Sequence, residues 1–61
     1  MNKFYFVAYE FGNGEKIIRA FNLKEKLTDE LKWLNEEATD IKEYSYSAKP
    51  MCLDDFLSTL L

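Results

Sequence analysis

The feature that most constrains this chain is its first 22 residues, where two runs rich in aromatic and β-branched side chains flank Gly12-Asn13-Gly14. Such runs around an Asn-Gly pair predict a β-hairpin, because a type I′ turn needs φ > 0 at both central positions and Asn and Gly adopt it at low cost. With Asn13 and Gly14 as a two-residue loop, Phe11 faces Lys16, Tyr9 faces Ile18, Val7 faces Ala20 and Phe6 faces Phe21. One sheet face then carries Phe4, Phe6, Ala8, Ile17 and Phe21, with Glu10 and Arg19 placed for a diagonal ion pair. The other carries Tyr5, Val7, Tyr9, Phe11, Ile18 and Ala20. Both faces are apolar, so the hydrophobic pattern fixes register only weakly. A three-residue Gly-Asn-Gly loop with a bulge shifts the pairing by one and exchanges the partners.

Sixty-one residues make one domain, residues 1–61, near the lower limit at which a chain folds without a staple. The composition, 48% hydrophobic and 16% aromatic, favours an ordered fold with a thin core of large side chains. The single cysteine, Cys52, excludes an internal disulfide and reads as a small buried apolar residue; with no histidine, a zinc site has little to build on. The run after Met1-Asn2-Lys3 is too short for a signal peptide and ends at Glu10, and no stretch approaches the ~20 apolar residues of a membrane span. A soluble, cytoplasmic protein is the expectation. A net charge of −3 argues against the phosphate neutralisation on which nucleic-acid binding depends.

From Leu23 the period changes from two to about 3.6. Leu23, Leu27, Leu31, Leu34, Ala38 and Ile41 form one narrow stripe, which predicts a core helix from about Thr28 to Lys42 with a possible earlier turn. Two starts compete, an Asn22/Glu25 capping box and a Thr28 cap followed by Asp29 and Glu30. Glu43 to Lys49 alternates again and Pro50 stops it, a short third strand. Leu53, Phe56, Leu57, Leu60 and Leu61, behind Asp54 and Asp55, predict a short terminal helix. The expected fold is α+β, in the order ββαβα. A right-handed crossover would set the third strand beside the first, giving strand order 2-1-3 with the long helix on one sheet face.

No pattern of catalytic residues emerges. Serine and cysteine lack histidine as an activating partner, and Glu36-Glu37 and Asp54-Asp55 diverge by about 100° on their helices. Gly12-Asn13-Gly14 lies between strands, whereas a phosphate loop precedes a helix. The expectation is a protein without catalytic, cofactor or metal sites, and two surfaces stand out for binding. The first is the sheet face that the long helix leaves bare. If that helix packs on the phenylalanine face, Tyr5, Tyr9 and Phe11, with Tyr44 or Tyr46, form an aromatic patch, unless the terminal helix covers it. The second is a strip made by Glu30, Trp33, Glu37, Asp40 and Tyr44. Trp33 lies about 120° from the centre of the leucine stripe, either an interface residue among acids or a lid over the sheet edge.

These surfaces point to a small acidic protein-binding module, an inhibitor or adaptor. Mobile elements such as phages make proteins of this kind against host factors, some of them nucleic-acid mimics whose partner is a basic nucleic-acid-binding protein. A homodimer through the second apolar face is the alternative. Single-strand nucleic-acid binding by stacking on Tyr5, Tyr9 and Phe11 is weaker, because only Lys3 and Lys16 stand nearby.

Overall fold

The computed structural model describes residues 3–60; Met1 and Asn2, at the start of the expected hairpin, and Leu61, at the end of the expected terminal helix, lie outside the described residues. The elements run β1 (Tyr5–Phe11), β2 (Lys16–Phe21), α1 (Lys24–Glu36), β3 (Ile41–Tyr46) and α2 (Leu53–Leu60), with sheet order β2-β1-β3. Both neighbours of β1 run antiparallel to it. The aromatic first strand is thus central, as the crossover argument requires.

The hairpin loop has three residues. The Gly14 N–H donates to the Phe11 carbonyl at 2.9 Å, and the Phe11 N–H donates to the Glu15 carbonyl at 2.8 Å. Only Gly14 has positive φ, 92°, so Asn13 does not take the left-handed conformation of a type I′ turn. Instead its Oδ1 accepts from the Glu15 N–H at 2.9 Å, and Gly14 occupies the left-handed position of a bulge.

This loop corrects the two-residue register. Tyr9 faces Ile17, Val7 faces Arg19 and Tyr5 faces Phe21. Ile17, Arg19 and Phe21 therefore share a face with the tyrosines, and Ile18 and Ala20 move to the face of Phe4, Phe6 and Ala8. The expected Glu10–Arg19 pair is lost, since the two side chains now point to opposite faces. Arg19 pairs with Glu30 at 2.9 Å and Glu10 lies 3.9 Å from Lys42.

The long helix begins and ends earlier than its stripe suggests. Leu23 is the N-cap, with no side-chain cap, and its carbonyl accepts from the Lys26 and Leu27 N–H groups. Neither expected cap operates: Thr28 lies inside the helix and its hydroxyl donates to the Lys24 carbonyl at 3.0 Å. At the other end the chain leaves the helix because Ile41 is needed in β3, opposite Phe11. The intervening Asp40 carbonyl accepts from the Gly12 N–H at 2.8 Å, which ties the α1–β3 connection to the hairpin loop. The third strand thus runs Ile41–Tyr46 rather than 43–49.

Past Tyr46 the ladder is completed by a side chain. The Ser47 N–H donates to the Phe6 carbonyl at 2.9 Å, and the buried Ser47 Oγ accepts from the Phe6 N–H at 2.8 Å. Chain 48–50 then bulges away, and Met51 rejoins through two bonds to Phe4 at 2.9 and 3.0 Å.

Helices lie on both faces. Leu27 and Leu34 of α1 form one core with Val7 and Tyr9, flanked by the half-buried Tyr5, Phe11, Ile17, Phe21, Leu31, Ala38 and Ile41. On the opposite face Phe56 of α2, 1% exposed, stacks on Phe6 at 5.2 Å and 17°. Among the described residues no helix is long and apolar enough to cross a membrane.

Candidate functional site

Because α1 packs on the tyrosine face, the aromatic patch lies beneath it. Tyr9 is 6% exposed, with its hydroxyl 3.4 Å from Glu30 Oε2 and its ring against Phe11 at 5.5 Å. Tyr5 and Phe11 are half-buried against the same core. The face on which bases would have stacked is therefore occupied by the helix.

Helical spacing places Glu30, Trp33 and Glu37 on one side of α1. Glu30 is held: its carboxylate accepts two hydrogen bonds from Arg19 Nη1, at 2.9 and 3.1 Å. The Arg19 guanidinium also lies over the Phe21 ring, 5.3 Å from its centroid. Trp33 sits on the rim of the core, its ring edge toward Tyr9 at 6.4 Å, and keeps 39% of its surface exposed. Glu37 follows the last helical residue, and its N–H and that of Ala38 both donate to the Trp33 carbonyl, at 2.9 and 3.0 Å.

The other two members of the expected strip stand apart from it. Asp40 lies past the helix, with its Oδ1 2.8 Å from where a Cβ on Gly12 would stand. Tyr44 is on the opposite flank of α1, its hydroxyl donating to Asn35 Oδ1 at 2.8 Å, and it stacks with Tyr46 at 6.5 Å. The helix ends at Glu36, so the helical step that joined these residues in sequence does not continue to them.

The last turn of α1 contains Glu36 and no basic residue. Carboxylates there face the negative end of the helix dipole, an unfavourable placement of about 0.3–1 kcal/mol each at a surface. Trp33, Glu36 and Glu37 thus set an exposed indole and two carboxylates at the C-terminal end of α1.

A second surface lies on the sheet face that α1 leaves bare, where α2 packs through Phe56 on Phe6; the exposed leucines of α2 on that side were not anticipated. On the α2 face, Ile18, Leu53, Leu57 and Leu60 are all exposed. Between the end of α2 and the sheet lies an open groove of about 290 Å³, lined by Ala8, Ile18, Ser45, Thr59 and Leu60 among others. Helical spacing alone gave no signal of it: Leu53, Phe56, Leu57 and Leu60 span about 100°, the ordinary width of a core-facing stripe, yet only Phe56, at one edge of that stripe, is buried.

No protein-family model, curated protein or solved structure matches the chain. The site therefore stands on its geometry.

Proposed function

We propose that this chain is a small acidic protein-binding module, acting in the cytoplasm as an inhibitor or adaptor of the kind a mobile element directs at a host protein. Its contact surface is the C-terminal end of α1, and its partner is a protein with a basic face, such as a nucleic-acid-binding protein. The observation that supports this reading is the position of Trp33. A chain with so few buried side chains leaves its only tryptophan 39% exposed, beside carboxylates that work against the helix carrying them. Tryptophan contributes a large contact area at low entropic cost, and surrounding acids steer and orient a basic partner.

The test is capture from a native lysate on the immobilised chain, with Trp33→Ala as control. A basic protein retained at low salt, released at high salt and lost with Trp33→Ala supports the reading. The variant's melting temperature should fall by much less than the ~3–5 kcal/mol of a core aromatic truncation implies. Equal capture by both proteins, or a melting temperature that collapses with Trp33→Ala, would overturn it.

A further inference from the structure

Edge strand β3 and the N-terminal half of α1 flank a further groove, of about 310 Å³. Leu27, Thr28 and Leu31 form its helix side, Tyr46 and Ala48 its strand side, and Lys24 belongs to its lining. On the other flank of α1 the corresponding position is filled by Arg19, which reaches from β2 to Glu30 and lies over Phe21. The geometry points to this groove as the seat of an extended peptide segment that adds to the sheet antiparallel to β3. The segment carries apolar residues two apart on its α1 side and a carboxylate on its N-terminal side, near Lys24.

The backbone of β3 selects an extended occupant. The Ser47 N–H donates to the Phe6 carbonyl, and the register carries the same alternation to Ser45 opposite Ala8 and Glu43 opposite Glu10. The N–H and C=O groups of Tyr44 and Tyr46 therefore point away from β1, at the spacing of a strand ladder, and a second extended chain is the partner that meets all four. Residues of that chain opposite Tyr44 and Tyr46 turn their side chains toward α1, and the one beside Tyr46 stands at the mouth of the groove. The strand side is already set: the Tyr44 hydroxyl donates to Asn35 Oδ1 and its ring stacks with the exposed Tyr46. Charge narrows the choice further. Among the described residues that line the groove Lys24 alone is charged, and it opens α1, where the helix dipole is positive, so an acidic segment fits and a basic one does not. Glu36 and Glu37, at the far end of the helix, favour the opposite charge, so the two sites take different ligands.

Selection of a displayed library of random short peptides on the immobilised full chain tests the inference. The expected result is enrichment of sequences with apolar residues two apart and an acid on their N-terminal side. A synthetic peptide of the enriched sequence should slow amide exchange at Tyr44 and Tyr46, and N-methylation of its two apolar residues, which removes the donors to β3, should abolish binding. Lys24 is exposed and an acid there suits the helix N-terminus. Lys24→Glu should therefore keep the melting temperature and weaken the peptide about fivefold. Trp33→Ala should bind the peptide as the wild type does, so loss of the site at the end of α1 and loss of this one are distinguishable. Failure of any sequence to enrich, binding that survives N-methylation or is unchanged by Lys24→Glu, or protection confined to amides outside β3 overturns the inference.

Discussion

Single residues hold the ends of this sheet together, and two of them carry measurable consequences. Gly14 stands at φ 92° with no atom within 4 Å of where a Cβ would be, so its requirement is conformational rather than steric crowding. Replacing it with valine should cost about 1 kcal/mol or more, since a β-branched residue resists that region. In a domain of this size, thermal unfolding monitored by circular dichroism should register a drop of roughly 4–8 °C per kcal/mol. Ser47 is less visible in sequence, one serine of an alternating pair, yet its hydroxyl is what the Phe6 N–H bonds to where the chain leaves β3. Ser47→Ala leaves that N–H buried without a partner, a cost of about 1–3 kcal/mol. Recovery of the wild-type melting temperature by Ser47→Thr, which restores the hydroxyl, would assign the loss to the hydrogen bond.

At the scale of elements, strong local chemistry was legible and its boundaries were not. The hairpin, the terminal helix and the central place of β1 follow from turn residues, spacing and connection geometry. Register did not follow, because a sheet apolar on both faces gives a one-residue slip no hydrophobic penalty, and the Asn13 side chain, bonding Glu15, favoured the longer loop. The end of α1 was hidden for a similar reason: Ala38 and Ile41 keep the helical step although Ile41 belongs to β3. Trp33 could be placed on the helix rim from sequence, whereas the separation of Asp40 and Tyr44 from it depended on where the helix stops.

The contacts of α1 also predict how charge acts there. Arg19 and Glu30 meet by two hydrogen bonds, with side-chain exposures of 50% and 12%. An Arg19→Met, Glu30→Gln double-mutant cycle should give a coupling near 1 kcal/mol that weakens with salt, the upper end for a partly exposed pair. Reversing charge at the end of the helix should have the opposite sign. Glu36→Lys is expected to stabilise the fold by about 0.3–1 kcal/mol in denaturant unfolding, while reducing capture of a basic partner. A variant that gains stability and keeps its partner would separate the acidic end of α1 from recognition.

The whole molecule divides its apolar surface unequally between two helices. The larger core, under α1, is built on Val7, Tyr9, Leu27 and Leu34, whereas the opposite face depends on one stacked pair, Phe6 and Phe56. A chain of this length has a total stability of about 3–9 kcal/mol at typical values per residue. Removing a fully buried phenylalanine costs about 3–5 kcal/mol. The two ranges overlap, so the second face is essential to the fold even though it contributes few buried residues. Phe56→Ala should therefore lower the melting temperature by at least about 12 °C, and should expose Phe4, Phe6 and Ala8 to an apolar dye. A loss confined to α2, with the β1–β2–α1 core melting as before, would mean that the two faces fold as separate units. A single cooperative transition at the lower temperature is the expected outcome, because Phe6 and Val7 are adjacent on β1 and both faces are held through that one strand.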